Sequence, residues 1–279
     1  MSATTAAPLG QIDISGTPRT PFGRLVKVEL RKMVDTRGGF WLLAITGLLL
    51  FLVMGAILAI GAFTDSDLDL TASTMSQIFT IPVSLLVPVF GVLVVTSEWS
   101  QRTAMVTFAL EPHRIRVILA KLLAVTLLAL ATIVLAVAAG ALTNVLLAAI
   151  DGTATVWDLK LSTLFWVALV QVAYFGMGFA LGALLRSTAG AVAVYYVVAL
   201  LLPALVWPAL YFIFGWAQDI LPWVDINMAA TPIIAGTDFA GENVDVGAID
   251  YVRVAFTITL WAITPLALGI WRLLRAEVK

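Results

Sequence analysis

The chain has no cysteine, which excludes a disulfide frame, thiolate chemistry and any cysteine-ligated metal site. It has a single histidine, His113, close to Arg114 and Arg116, where it reads as a solvated surface imidazole rather than a ligand. With one histidine and no His/Asp/Glu cluster at ligand spacing, neither a hydrolytic triad nor a metal centre can be assembled. No catalytic residue and no metal site is therefore expected. Nowhere does Gly-x-x-x-x-Gly-Lys-Ser/Thr occur, so the phosphate cradle needed to hydrolyse ATP is missing, and the chain reads as a non-enzyme that binds no cofactor itself. Charge is scarce as well. Charged residues make up 12% of the chain and the net charge is −1, which argues against nucleic acid as a partner.

What is present is apolar sequence, 61% of 279 residues. It falls into six runs, each long enough to cross a hydrocarbon core of about 30 Å as a helix rising 1.5 Å per residue. The spans are placed at about 40–63, 77–97, 117–150, 161–185, 189–214 and 251–271. The fold class that follows is an all-α integral membrane protein with six transmembrane helices, occupying 38–279. Residues 1–19 are small and polar and read as a disordered tail. Residues 20–37 read as an amphipathic interfacial helix, with Thr20 as cap and Pro21 in its first turn. Its apolar face is Phe22, Val26, Leu30 and Met33, and Arg24, Lys27, Arg31 and Asp35 take the other side. A plain basic juxtamembrane tail is the alternative.

Pro82 and Pro88 predict kinks in the second span. The unbroken apolar run Leu122–Ile150 exceeds the bilayer, so the third helix should tilt or project beyond it. Gly178 and Gly182 give the fourth span a small-xxx-small face for close packing. Residues 215–250 mix tryptophans with apolar stretches too short to span, and predict short interfacial or re-entrant helices before the sixth span. Basic residues are strongly partitioned. With both termini on one side, only Lys160 and Arg253 fall on the other, while most acids lie there. The positive-inside rule then puts both termini in the cytoplasm and the protein in a cell membrane, plausibly a bacterial plasma membrane.

Between the second and third runs lies an island of charge, Glu98 to Lys121. Ionised side chains there bar it from the bilayer interior, where each costs roughly 2.5–3.5 kcal/mol. Its interleaved Met105, Val106, Phe108 and Leu110 make it too apolar for a loose loop. A short amphipathic helix at the membrane surface, stopped by Pro112, reconciles the two. Glu98 reads as an anchor paired with Arg102, Lys121 or a base of the first helix; a solvated headgroup-level charge is the alternative.

Glu98, Trp99, Thr103, Pro112, Arg114 and Lys121 follow a pattern that resembles the loop between the second and third spans of ABC export permeases of the second type. Many members carry glycine before the threonine, where this chain has Arg102, a residue that favours continued helix. The resemblance implies a membrane subunit of an ATP-driven exporter of hydrophobic or amphipathic cargo. It implies two copies of a separate ABC ATPase, which would hold the ATP and Mg, and a second permease copy, the same or related. It further implies a coupling helix in which Glu98, Arg102, Thr103, Met105, Val106, Phe108, Leu110, Pro112 and Arg114 meet the ATPase. Re-entrant helices near the last span would form an outer gate, with Trp216 and Trp223 on it.

Polar residues within the runs are few. Asn144, Gln171 and Tyr174 could line a cargo path, although Asn144 and Gln171 read more naturally as interhelical glue. No span carries a midplane Asp, Glu, Lys or Arg, which disfavours an ion-coupled carrier or channel. A non-transporting membrane scaffold is a third reading. Membrane lipids are partners in all three.

Overall fold

The structure is a computed structural model that describes residues 20–63, 71–100 and 113–275. The tail 1–19 and most of the coupling segment, including Arg102, Thr103, Met105, Val106, Phe108, Leu110 and Pro112, lie outside the described residues. Within them the chain is helical, with no strand beyond an isolated bridge between Thr237 and Asn243. Six helices are long and apolar enough to cross a membrane: Arg37–Phe63, Ala72–Glu98, Arg114–Asp151, Leu161–Leu185, Thr188–Ile213 and Ala248–Arg275. This is the architecture of a multi-pass membrane protein.

Several ends move from their expected places, each for a local reason. The second span begins at Ala72, because the Thr71 hydroxyl caps it by accepting from Thr74 N at 3.3 Å. The sixth begins at Ala248, where the Asp250 carboxylate reaches back to accept from Gly247 N at 2.9 Å. The third runs from Arg114 to Asp151, 38 residues. That is about 57 Å of helix, against roughly 30 Å of hydrocarbon. It stops at Gly152, whose φ of 66° closes the last turn onto Ala148 O.

The second and fourth spans form the centre, with 56% and 61% of their most apolar stretch buried, against 6% for the first and 11% for the fifth. Glycine lets them meet backbone to backbone. A Cβ on Gly91 would lie 2.7 Å from Phe179 N, and one on Gly178 would lie 2.3 Å from Pro88 O. The second span breaks at Val87, one residue before Pro88. Proline has no N–H to offer the carbonyl four residues back, which here is Ser84 O. The buried Tyr195 of the fifth span donates its hydroxyl to that oxygen at 2.6 Å. Tyr195→Phe should therefore strand a buried carbonyl and lower stability by about 1–3 kcal/mol, read as an earlier thermal transition in detergent.

The fifth and sixth spans each carry a π-helical stretch, Val197–Val206 and Thr259–Ile263. Pro203 lies within the first and Pro265 just beyond the second, and each withholds one N–H from the regular ladder. After the fifth span the chain turns at Phe214 into Gly215–Ile220, a single 3-10 turn Leu221–Trp223, and the helix Ile226–Ala235. Trp261, near the middle of the sixth span, donates its ring N–H to Val224 O at 2.6 Å. The connection thus reaches down to mid-length of the bundle before Ile226–Ala235 leads back.

Candidate functional site: an ionic joint and an apolar chamber

The N-terminal helix is Phe22–Asp35, with Pro21 in the cap position and no side-chain cap from Thr20. Its buried stripe is Val26, Glu29 and Met33, with Leu30 half-buried against the same core. Phe22, expected on that face, is instead exposed and lies outside the core cluster that Leu25, Val26, Leu30 and Met33 join. The turn into the first span is tight. Phe40 N donates to Thr36 O at 2.8 Å, and a Cβ on Gly39 would fall 1.7 Å from Met33 O, so only glycine fits.

Glu29 is absent from the expected apolar face, although its spacing from Val26 and Met33 puts a charge on that stripe, and it is the fulcrum of this end. Lys121 of the third span places its ammonium 2.8 Å from Glu29 Oε2, 2.8 Å from Glu98 Oε1 and 3.3 Å from Val94 O. Those three acceptors match its three protons. Lys32 closes the other side, 2.8 Å from Glu29 Oε1 and 3.1 Å from Glu98 Oε1. Glu29, Glu98 and Lys121 are buried, and the Lys32 side chain is half exposed. Among the described residues two carboxylates face two ammoniums, a pairing that makes such burial tolerable. Burial by itself pulls the Lys32 ammonium down, and Glu29 and Glu98 more than restore it, leaving it above the ordinary lysine range.

The joint has a mechanical meaning. Glu98 and Lys121 bracket the charged segment, and their contact pins its two ends together and both to the N-terminal helix. Two further bases tie neighbours in: Arg116 donates to Thr20 O at 2.8 Å, and Arg114 reaches the Leu274 carbonyl of the sixth span at 3.5 Å.

At the opposite end the polar candidates separate. Asn144 is buried and donates to Val156 O at 3.2 Å, tying the third span to the loop behind it. Tyr174 is buried beside Asp225 around a water-sized cavity of about 10 Å³ that Val198 and Trp261 of the two π-helical stretches also line. Asp225 is the surprise. The spans lack a midplane acid, but the connection delivers one to the middle of the bundle, where Asp225 Oδ1 accepts from Met228 N at 2.8 Å and caps Ile226–Ala235. Sequence position placed it among outer loop acids; only the fold reveals its depth.

Gln171 lines a separate, larger chamber of about 340 Å³ between the second span, the fourth span and Ile226–Ala235. Trp216 and Trp223 are not part of its wall. Trp216 is exposed beside Phe214, and Trp223 packs edge-on to Phe256 with Arg253 over its ring. Among the described residues, no group of three or more His, Asp or Glu is placed to hold a metal ion.

The chain matches no known family model and no curated protein. Function is therefore argued from the joint, the chamber and the sequence pattern alone.

Proposed function

We propose that the chain is the membrane-spanning subunit of an ATP-driven exporter that moves a hydrophobic or amphipathic cargo, a drug, peptide or lipid-like molecule. It works with a separate ATPase in two copies and a second permease copy, with both termini on the cytoplasmic side. The observation that carries this reading is the ionic joint. Glu98 and Lys121, which flank the segment, are joined at 2.8 Å, so a displacement of either is passed to the second span, the third span and the N-terminal helix together. The second span in turn packs glycine to glycine on the fourth, so motion at the basic end reaches the wall of the chamber at the other end.

An ion-coupled carrier is the second reading, and Asp225 is the observation that favours it. Against it, the first-turn amide of Met228 already engages that carboxylate, and no basic residue shares its cavity. The experiment is co-purification from native membranes with assay of the retained ATPase. Burying a phenylalanine contributes about 1.5–3 kcal/mol, so Phe108→Ala should loosen an ATPase docked on the segment by roughly ten-fold or more. A wild-type chain that brings down no Walker-motif ATPase, or a Phe108→Ala chain that retains it in full, would sink the export reading.

A further inference from the structure

We propose that the chamber between the second span, the fourth span and Ile226–Ala235 is a binding site for an uncharged amphiphile bearing a hydroxyl or amide N–H on an apolar body. Its volume of about 340 Å³ falls within the range of roughly 300–1,000 Å³ usual for small-molecule pockets. Ile78, Val170 and Ile234 supply apolar wall, and Thr80, Gln171 and Asn227 are among the polar residues of the lining.

Two features select the ligand. First, among the described residues no ionisable side chain lines the half-open chamber. A charged guest seated there would give up part of its hydration with no described counter-charge to replace it, which selects for a neutral guest. Second, Gln171 is only 4% exposed, and its amide is half satisfied: Nε2 donates to Thr80 O at 3.1 Å, while Oε1 is buried with no partner. Buried amide oxygens are nearly always paired, and one that is not calls for a donor. The terminal torsion of glutamine is soft, so a small rotation presents Oε1 to the chamber without moving the helix. A hydroxyl or amide N–H on the guest would complete the set, and an alkane would not.

The site names the cargo class of the export reading and rests on it only for the word cargo, since binding needs no ATPase. The test uses the full chain in phosphatidylcholine nanodiscs with a photoreactive long-chain alcohol, its crosslinks mapped by mass spectrometry. Peptides containing Gln171 and Ile234 should be labelled. Dodecanol should compete at least ten-fold better than dodecane, dodecanoate or dodecylammonium. Thr231→Phe, which adds a bulky ring to the chamber wall, should abolish that labelling, and Gln171→Leu should weaken it about ten-fold. Competition by 1-monooleoylglycerol assigns a bilayer lipid as the source, and competition by dodecanol alone assigns a free small molecule; either supports the site. Equal competition by dodecane or dodecylammonium overturns the proposal, as does labelling that survives Thr231→Phe. Absent binding leaves the export reading standing, and binding without ATPase recruitment leaves the site standing.

Discussion

Lys121→Met should destabilise the protein more than any other single charge removal in the described residues. It takes away the ammonium that faces Glu29 and Glu98 at 2.8 Å each, the buried cation of the joint among the described residues, and leaves in place the half-exposed Lys32. Breaking a buried ion network by removing one member costs about 3–5 kcal/mol, because the remaining charge stays buried and uncompensated. The methionine keeps most of the volume, so packing loss contributes little. The sign can be checked. Adding Glu29→Gln to Lys121→Met removes one of the two repelling charges and should restore part of the lost stability, a coupling that a double-mutant cycle isolates. Thermal unfolding in detergent at neutral pH reads it. A Lys121→Met protein that melts with the wild type at neutral pH would mean the joint carries no structural weight, and with it the force path proposed above would fall.

The same geometry sharpens what Glu98→Lys should do. On the sequence alone it removes an anchor at the end of a helix. In the structure it places a third lysine against Lys121 and Lys32, with Glu29 the acid that faces them among the described residues, so loss of the folded chain and not mere uncoupling is expected.

Gly178→Leu should separate the second span from the fourth. Even a Cβ at this position would sit 2.3 Å from Pro88 O and 3.0 Å from Pro88 C, both backbone atoms that no rotamer change can clear. The helices must part, which also releases Gly91 from Phe175 O and Phe179 N and Gly182 from Val92. Overpacking of a core usually costs about 1–3 kcal/mol, and here the loss falls on the most buried crossing in the bundle, so the upper end or beyond is expected. Gly176→Ala, two residues earlier on the same helix, is the control. Its nearest neighbour would be Ala262 Cβ at 3.7 Å, ordinary contact, so that variant should fold and melt like the wild type. Equal behaviour of Gly178→Leu and Gly176→Ala would show that this crossing is looser than the structure describes.

The sequence by itself determined the number, order and type of the spans, because a hydrocarbon solvent demands long unbroken apolar helices and those are visible residue by residue. It also set the length of the third span, the short helices ahead of the sixth, the small-residue face at Gly178 and Gly182, and Lys121 and a base of the first helix as candidate partners of Glu98. The tertiary structure decided everything that depends on which distant groups meet. Glu29 is a buried member of the joint only because Lys121 arrives from 92 residues away; its helical spacing from Val26 and Met33 places it on the apolar face, but the partner that makes its burial tolerable is not legible there. The break at Val87 needs Tyr195 to satisfy the carbonyl that Pro88 leaves open. Asp225 looks like one loop acid among many until Trp261 and Tyr174 fix its depth. Gln171 reads as glue by residue type, and half of it is, yet its unpaired oxygen appears only when the fold builds a chamber beside it. Periodicity and hydropathy are local sums over neighbouring residues, whereas burial of a charge or an amide depends on partners far along the chain.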